Sequence, residues 1–343
     1  MNLTGISEFT PLGEFKNVKY IEFGTTSCTM TIKDLKGIQE VKQLEILVFM
    51  CKTKIKTNIE EISKLSKLKS LGLYNLMQEI PEDLIKPLNN LEFISLSKQN
   101  YASIKGFPRN LKEVQFSVSD MKELPKWEVV DSVKIVDLGI CKFENIDSLC
   151  CFPNLEEIVF FQVKSLIDIS YVKSLPALKK LSVNFSPINS LSGFYNHKAI
   201  EEIKARGSHI LGVEKLGVLP SLKVLYLEKS KLKSIEGIKN IFPNLELLWI
   251  WGTKVKDLSP LEEMTSLKEL DVTLLKPKSW DFLTTLHNLG TLNLSATSFS
   301  DTRLLMELPN LKNLVLFRSE VDMENENYKK LKELIETRGG EIK

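Results

Sequence analysis

The sequence predicts an α/β solenoid, a stack of short parallel strands joined by brief return segments, and three observations carry that prediction. The first is a triplet of branched aliphatics: Leu222, Leu225 and Leu227 recur in the same spacing as Leu245, Leu248 and Ile250. The second is the pair of positions after each triplet, a small hydroxyl residue (Ser230 or Thr253) and then an apolar one (Leu232 or Val255). The third is size. A repeat of about 22–23 residues cannot bury its own apolar side and is stable only against neighbours like itself.

Counted by first residue, the triplets begin at Val18, Leu44, Leu68, Leu91, Leu111, Val133, Leu155, Leu178, Ile200, Leu222, Leu245, Leu267, Leu289 and Leu311. From Leu111 onward the starts are evenly spaced. Before it the intervals are uneven, longest from Val18 to Leu44 and shortest from Leu91 to Leu111. The N-terminal third is therefore looser, with longer or more helical returns expected. Alternation within each triplet predicts a strand whose first, fourth and sixth residues face inward, as in Leu267/Leu270/Val272. Parallel strands covered on that face by the returning chain favour such branched aliphatics; Ala205 is the small exception. The ninth residue is Thr26, Ser119, Ser186, Ser208, Ser230, Thr253, Thr297 or Ser319 in eight repeats. An inward hydroxyl there can satisfy backbone groups buried at the turn. Lys52, Leu76, Gln99, Cys141, Val163 and Leu275 break this pattern.

The returns carry apolar residues about every third position, as in Val255, Leu258, Leu261 and Met264, which suits 3₁₀ or single-turn helices. Pro260 fits the first turn of one. Pro153, Pro176, Pro220, Pro243 and Pro309 stand two residues before a triplet, where proline ends a helical turn. The expected organisation is an N-terminal cap over 1–17, helical or irregular, a repeat domain over 18–321, and a C-terminal capping helix and tail over 322–343. In the last of these, Leu331, Leu334 and Ile335 form one apolar face and Gly339-Gly340 stop the helix. Glu341 to Lys343 are expected to add a final short strand.

Composition narrows the function. The 343 residues hold 46 Lys and Arg against 44 Asp and Glu, a net charge of +2, which argues against a general nucleic-acid or membrane surface. No basic segment followed by an apolar run opens the chain, and no apolar run approaches a membrane span. Cys28, Cys51, Cys141, Cys150 and Cys151 form no disulfide framework. A cytoplasmic location is expected, with secretion after removal of a signal segment as the alternative. His197, His209 and His287 show no metal-ligand spacing. Cys150-Cys151 lacks the two-residue gap of a redox or zinc pair, and no Ser, His and acid triple emerges. Asp137 and Asp271 lie six repeats apart, about 29 Å along a stack of strands, too far for an acid/base pair. Neither catalytic residues nor a metal or cofactor are expected.

The arrangement resembles the leucine-rich repeat family. Its repeats of about 22 residues, with Asp257-Leu258-Ser259-Pro260-Leu261 in a return segment, are similar to bacterial internalins and the SDS22-like subclass. The resemblance covers roughly 18–321 and implies a right-handed curved array with its parallel sheet on the concave side, on which such proteins mostly bind other proteins. The chain departs from the family in carrying Ser or Thr where asparagine is usual at the ninth position. The secretion signal, immunoglobulin-like module and wall anchor of internalins are not seen.

On such a sheet the third, fifth and seventh residues of each repeat face outward, along a path of about 60–65 Å for fourteen strands. The densest group there is Tyr226, Trp249 and Trp251 beside Arg206, Glu228 and Asp271, read as a wide apolar patch rimmed by charge, the composition of a binding hot spot. The alternatives are that these rings merely cover each other and neighbouring aliphatic stems or meet a second copy, or that the site lies on a flank or on the N-terminal repeats, where Met50, Tyr74 and Phe93 form a weaker second surface. Phe317 is expected to be covered by the C-terminal cap. The function expected is a non-catalytic binding module for another protein, in the form of an intracellular inhibitor such as an immunity protein. The alternatives are a secreted or surface recognition protein and a regulatory subunit of an enzyme. A monomer or a weak homodimer fits the charge balance.

Overall fold

The computed structural model describes residues 2–3, 14, 17–25, 27–97, 101, 103–144, 146–166, 169–190, 192–214, 218–262 and 264–343. The cap expected over 1–17, together with Thr26 and Gln99, lies almost wholly outside these. The chain forms two compact units, 1–166 and 167–343.

The first unit is a parallel sheet built from β1 (Asn2–Leu3), β2 (Tyr20–Phe23), β4 (Ile46–Phe49), β6 (Ser70–Leu73), β7 (Phe93–Ser97), β8 (Glu113–Ser117), β9 (Ile135–Gly139) and β10 (Glu157–Phe161). Each strand pairs with the next in this order, and the fourth residues stand opposite one another, as Leu47↔Leu71↔Ile94↔Val114↔Val136↔Ile158 do. The extra residues of the first two intervals do not lengthen helices. They form a second pair of parallel strands, β3 (Thr29–Asp34) and β5 (Lys52–Thr57). Alternation explains why: Met30, Ile32, Thr53 and Ile55 turn inward and the Thr and Lys residues between them face solvent. Further along, past the short interval between Leu91 and Leu111, aromatic side chains fill the interior. The Trp127 ring stacks on Phe116 at 5.4 Å and meets Phe107 edge-on at 5.2 Å.

The second unit repeats the plan with β11 (Lys180–Ser182), β12 (Glu202–Lys204), β13 (Val224–Tyr226), β14 (Leu247–Trp249), β15 (Glu269–Asp271), β16 (Thr291–Asn293), β17 (Asn313–Val315) and β18 (Glu341–Ile342). Here Ile203↔Leu225↔Leu248↔Leu270↔Leu292↔Leu314 stand in register, each at most 1% exposed. The returns are 3₁₀ turns, such as Ser259–Leu261 with Pro260 in its first turn, or the one-turn helices α1 (Ile238–Ile241) and α2 (Arg303–Met306). The last helix, α3 (Glu326–Thr337), buries Leu331 and Ile335 and packs near α2. It ends where Gly339 takes a left-handed φ of 72° and the Gly340 N–H returns to the Ile335 carbonyl, a Schellman stop. Arg338 donates to the Leu308 carbonyl at 2.7 Å, and β18 then pairs with β17.

Three features at the strand ends keep the repeats in register. The eighth residue of each repeat from Leu111 onward has positive φ: Val118, Ile140 and Gln162 in the first unit, then Phe185, Gly207, Lys229, Gly252, Leu274, Ala296 and Arg318 in the second. The Ile140 amide still donates to the Phe161 carbonyl and the Lys229 amide to that of Trp251. A left-handed residue thus turns the chain off the sheet without breaking the ladder. Beside it, the ninth-position hydroxyls serve the turn in several repeats. Thr297 Oγ1 donates to the Leu294 carbonyl at 2.7 Å and accepts from the Phe299 amide, and Thr253 Oγ1 donates to Ile250. The buried Ser208 and Ser319 hydroxyls make no hydrogen bond. At the opposite end, the residue just before the triplet reaches back to the previous repeat. Asn90, Asn110, Asn154, Asn244, Asn288 and Asn310 donate their side-chain amides to carbonyls there, and Ser132, Ser221 and Ser266 do so with hydroxyls. Asparagine thus satisfies backbone in this chain from the position before the strand, while the ninth position mostly carries Ser or Thr.

Bulky residues in the left-handed region cost roughly 1–2 kcal/mol each. Ile140, half exposed and at φ 54°, is therefore expected to tolerate glycine. In urea unfolding, Ile140→Gly should leave stability unchanged or raise it by up to about 1 kcal/mol. Leu138→Ala, at a fully buried position two residues away, should lose about 2–5 kcal/mol.

Candidate functional site

Strands β12 to β15 set the site on the open face of the second unit, the face turned away from the return segments. Register aligns Lys204, Tyr226, Trp249 and Asp271 side by side at the fifth position, and Arg206, Glu228, Trp251 and Thr273 come two residues on. At a strand spacing of about 4.8 Å, each large side chain leans on its neighbours.

The contacts are specific. The Tyr226 and Trp249 rings meet edge-to-face, 4.9 Å apart and at 87°. The Trp249 indole N–H donates to Glu269 at 2.8 Å. Trp251 is flanked by two cations, the Arg206 guanidinium 5.4 Å and the Lys229 ammonium 4.8 Å from its ring centre. Arg206 also lies 5.3 Å from the Phe185 ring, and Lys204 lies 5.7 Å from that of Tyr226. Such cation–π contacts are worth about 0.5–1 kcal/mol each at exposed sites. Here they pre-order long side chains that would otherwise lose freedom on binding.

The arrangement corrects the sequence-based picture in two respects. The rings are half-buried, with cations over Tyr226 and Trp251 and with Trp249 against the Tyr226 ring, so the patch is a mosaic of ring and cation rather than a wide apolar field. Glu228 is no rim charge. It is 6% exposed, and its Oε2 atom has no hydrogen-bond partner. Burial pushes its carboxyl above the ordinary value, Arg206 opposes that and Asp271 adds to it. Asp271 is also raised by burial, opposed by the Thr273 hydroxyl and amide and by Asn293. Its oxygens accept from the Thr273 amide at 2.9 Å and the Asn293 side chain at 3.1 Å, so it is committed to its own neighbours. The structure thus gathers Arg206 with Trp251 and Tyr226 with Trp249, places Glu228 inside, and ties Asp271 to its own repeat and the next strand. The buried Arg206 Nε atom is also without a hydrogen-bond partner.

Sequence reasoning missed Phe185 and Lys229, which stand at the left-handed eighth position and so swing back over the open face. Gly207 and Gly252 at the same position were the available signal of positive φ.

In the first unit, Met50, Tyr74 and Phe93 are half-buried. The neighbouring strands carry a polar chain instead, Ser95 to Gln115 at 2.8 Å and Gln115 to Asp137 at 3.1 Å. Burial raises Asp137 and Glu113, and the nearby Glu157 adds to both. In the second unit Phe317 is 62% exposed, contrary to expectation, with Arg318 5.0 Å from its ring. The strand-start edge carries alternating charge. In the first unit Glu45 lies between Lys19 and Lys69 at 2.8 and 2.7 Å, which hold it down to about 2. In the second, Glu246 pairs with Lys268 at 2.8 Å. Among the described residues no group of three or more His, Cys, Asp or Glu could hold a metal ion, and no helix is long and apolar enough to cross a membrane.

The repeat length, the in-register parallel ladders and the leucine rows define the class: the chain has a leucine-rich repeat fold. No protein-family model matches the chain. It is 26% identical over 160 residues to the protein phosphatase 1 regulatory inhibitor subunit PPP1R7 homolog of Arabidopsis thaliana, across 45% of this chain and 48% of that protein. The match spans about half of that relative. Among solved structures, a leucine-rich repeat protein of Leptospira interrogans aligns over 97% of this chain and 91% of its own, at 18% identity and a TM-score of 0.66. An internalin of Listeria monocytogenes aligns over 83% and 84%, at 19% identity and a TM-score of 0.61. These two likenesses are of fold.

The raised Glu228 carboxyl gives a pH dependence of definite sign. Its native form holds a proton more tightly than the unfolded chain, whose glutamates titrate at about 4.3. Its contribution is whole below that value and is lost as pH rises through the raised native value. Glu228→Gln should therefore gain stability relative to the unaltered protein between pH 4 and 8, most at the alkaline end. Urea unfolding across that range measures the difference, and a constant difference would contradict the assignment.

Proposed function

We propose that the chain is a non-catalytic binding module that holds another protein on the open sheet face of its second unit. The observation that carries this reading is the interlocked group of Tyr226, Trp249, Trp251 and Arg206, supported by Phe185 and Lys229. Tryptophan, tyrosine and arginine are the residues that dominate binding energy at interfaces. Here they are already packed into place, which lowers the entropy lost on docking. The buried Glu228 carboxyl lies within electrostatic reach of Arg206.

Within that reading the chain acts as an intracellular inhibitor, of the kind that neutralises a cognate protein by covering it. Similarity to a phosphatase regulatory inhibitor subunit homolog supports the related reading of a regulatory subunit. Both place the partner on the same face. A general leucine-rich repeat scaffold supports either, so the partner decides between them. An enzyme would point to the regulatory subunit and a toxin to the immunity role.

Affinity capture from native cells tests the site. The unaltered protein should retain one partner in stoichiometric amount, and Trp249→Ala/Trp251→Ala should lose it. Each hot-spot truncation is expected to cost about 2 kcal/mol or more, while circular dichroism should show the fold unchanged. Equal capture by both proteins would place the partner elsewhere.

A further inference from the structure

A pair of thiols stands in the first unit, apart from the aromatic group. Cys28 and Cys51 immediately precede β3 and β5. The ladder registers Thr29 with Lys52, so one step back sets Cys28 opposite Cys51. The Lys52 amide donates to the Cys28 carbonyl at 3.1 Å, which closes the backbones together there. Directly opposed residues on neighbouring strands lie about 4.8 Å apart, inside the Cα separation of about 4.4–6.8 Å that a disulfide spans. The sulfurs also converge. A Cβ built on Gly24 would collide with the Sγ atoms of both Cys28 and Cys51. Gly24, at φ 74°, thus leaves the space that the two thiols share.

The two sulfurs are not equivalent. Cys28 is half-exposed, and its sulfur accepts from the Thr25 amide and donates to the Thr25 carbonyl, both at 3.2 Å. Hydrogen bonds from the Thr25 backbone and from the Cys51 thiol pull Cys28 below the ordinary thiol value. Cys51 is fully buried, 3.4 Å from the Thr53 hydroxyl, and burial pushes its thiol up. One accessible thiol disposed to ionise therefore faces one sheltered thiol, the division of labour between an attacking and a resolving cysteine. The other cysteines lack this. Cys141 is buried and donates to the Gly139 carbonyl, Cys151 is buried with its thiol pushed up to about 12, and Cys150 is exposed.

We propose that Cys28 and Cys51 form a redox-responsive dithiol site, in which hydrogen peroxide oxidises Cys28 and Cys51 resolves it to a disulfide joining the starts of β3 and β5. In the first step the Cys28 thiolate attacks one peroxide oxygen. The O–O bond breaks, Cys28 becomes a sulfenic acid, and the displaced hydroxide leaves as water after taking a proton. In the second, the Cys51 sulfur attacks the Cys28 sulfur, and the S–O bond breaks to release a second water. Two thiols and one hydrogen peroxide give one disulfide and two waters. The thiols lose two electrons and the peroxide gains them.

The test is hydrogen peroxide titration of the full chain, followed by alkylation under denaturing conditions and peptide mass spectrometry. The expected product is a single Cys28–Cys51 linked peptide, two hydrogens lighter than the sum of its parts and restored by dithiothreitol, with Cys141, Cys150 and Cys151 still alkylated. Cys51→Ala should leave Cys28 trapped as a sulfenic acid that dimedone labels, and Cys28→Ser should abolish the linked peptide. The oxidised protein should also unfold at a higher temperature than the reduced one, a difference absent in Cys28→Ser. Because Cys51 is buried, circular dichroism of each variant checks its fold, and the unaltered chain alone already decides the matter. Alkylation of both Cys28 and Cys51 at peroxide levels that oxidise Cys150 would overturn the proposal. So would dimedone-labelled Cys28 accumulating while Cys51 is present.

Discussion

Most inward positions of the sheet repeat the same contact, a branched aliphatic from one repeat pressed against its counterparts above and below, with Phe23, Phe49, Phe116, Phe160 and Ala205 as the exceptions at the sixth position. In the second unit Ile203, Leu225, Leu248, Leu270, Leu292 and Leu314 form one such row, and Ala205, Leu227, Ile250, Val272, Leu294 and Leu316 form another. No single repeat could close this surface. The rows therefore force register on the strands, since a slip by one residue would turn the whole row to solvent. Register in turn decides what stands side by side on the open face. Tyr226 meets Trp249 because Leu225 is opposite Leu248.

Two devices keep backbone groups paired where the chain enters and leaves the stacked strands. From the repeat starting at Leu111 onward, a left-handed residue after the strand keeps its amide in the ladder while the chain turns away. Asparagine or serine before the strand caps a carbonyl of the previous repeat. The first costs conformational energy at Val118, Ile140 and Leu274, which glycine would not. The recurrence of this conformation in repeat after repeat shows that the ladder hydrogen bond outweighs the local cost. The same turn carries Phe185 and Lys229 back over the open face, so a backbone requirement contributes to the chemistry of the surface.

The fold was largely legible because leucine spacing reports burial directly. The N-terminal returns are longer, as expected, but interval length alone does not distinguish helix from strand; the alternation in Thr29-Met30-Thr31-Ile32 does. The site was legible in its residue types and less so in its exposure. Counting outward positions located Arg206, Trp249 and Trp251 correctly on the open face. It could not show that long cations lie over the rings, or that Glu228 sinks between Arg206 and Trp251. Side-chain length and neighbour identity settle those, and they depend on three strands at once. The Cys28–Cys51 pair was hidden for a similar reason, since a whole repeat of chain separates two thiols that only the β3–β5 ladder opposes.

In the proposed function, stacked rows fix a pre-ordered docking group on the open face of the second unit. Hydrogen–deuterium exchange of the protein alone and saturated with its captured partner tests this most directly. New protection should fall on peptides spanning 202–207, 224–229 and 247–252, with the strand-start charges at Glu201, Lys223 and Lys268 unaffected. Protection confined to that charged edge, or to the return segments, would contradict the account.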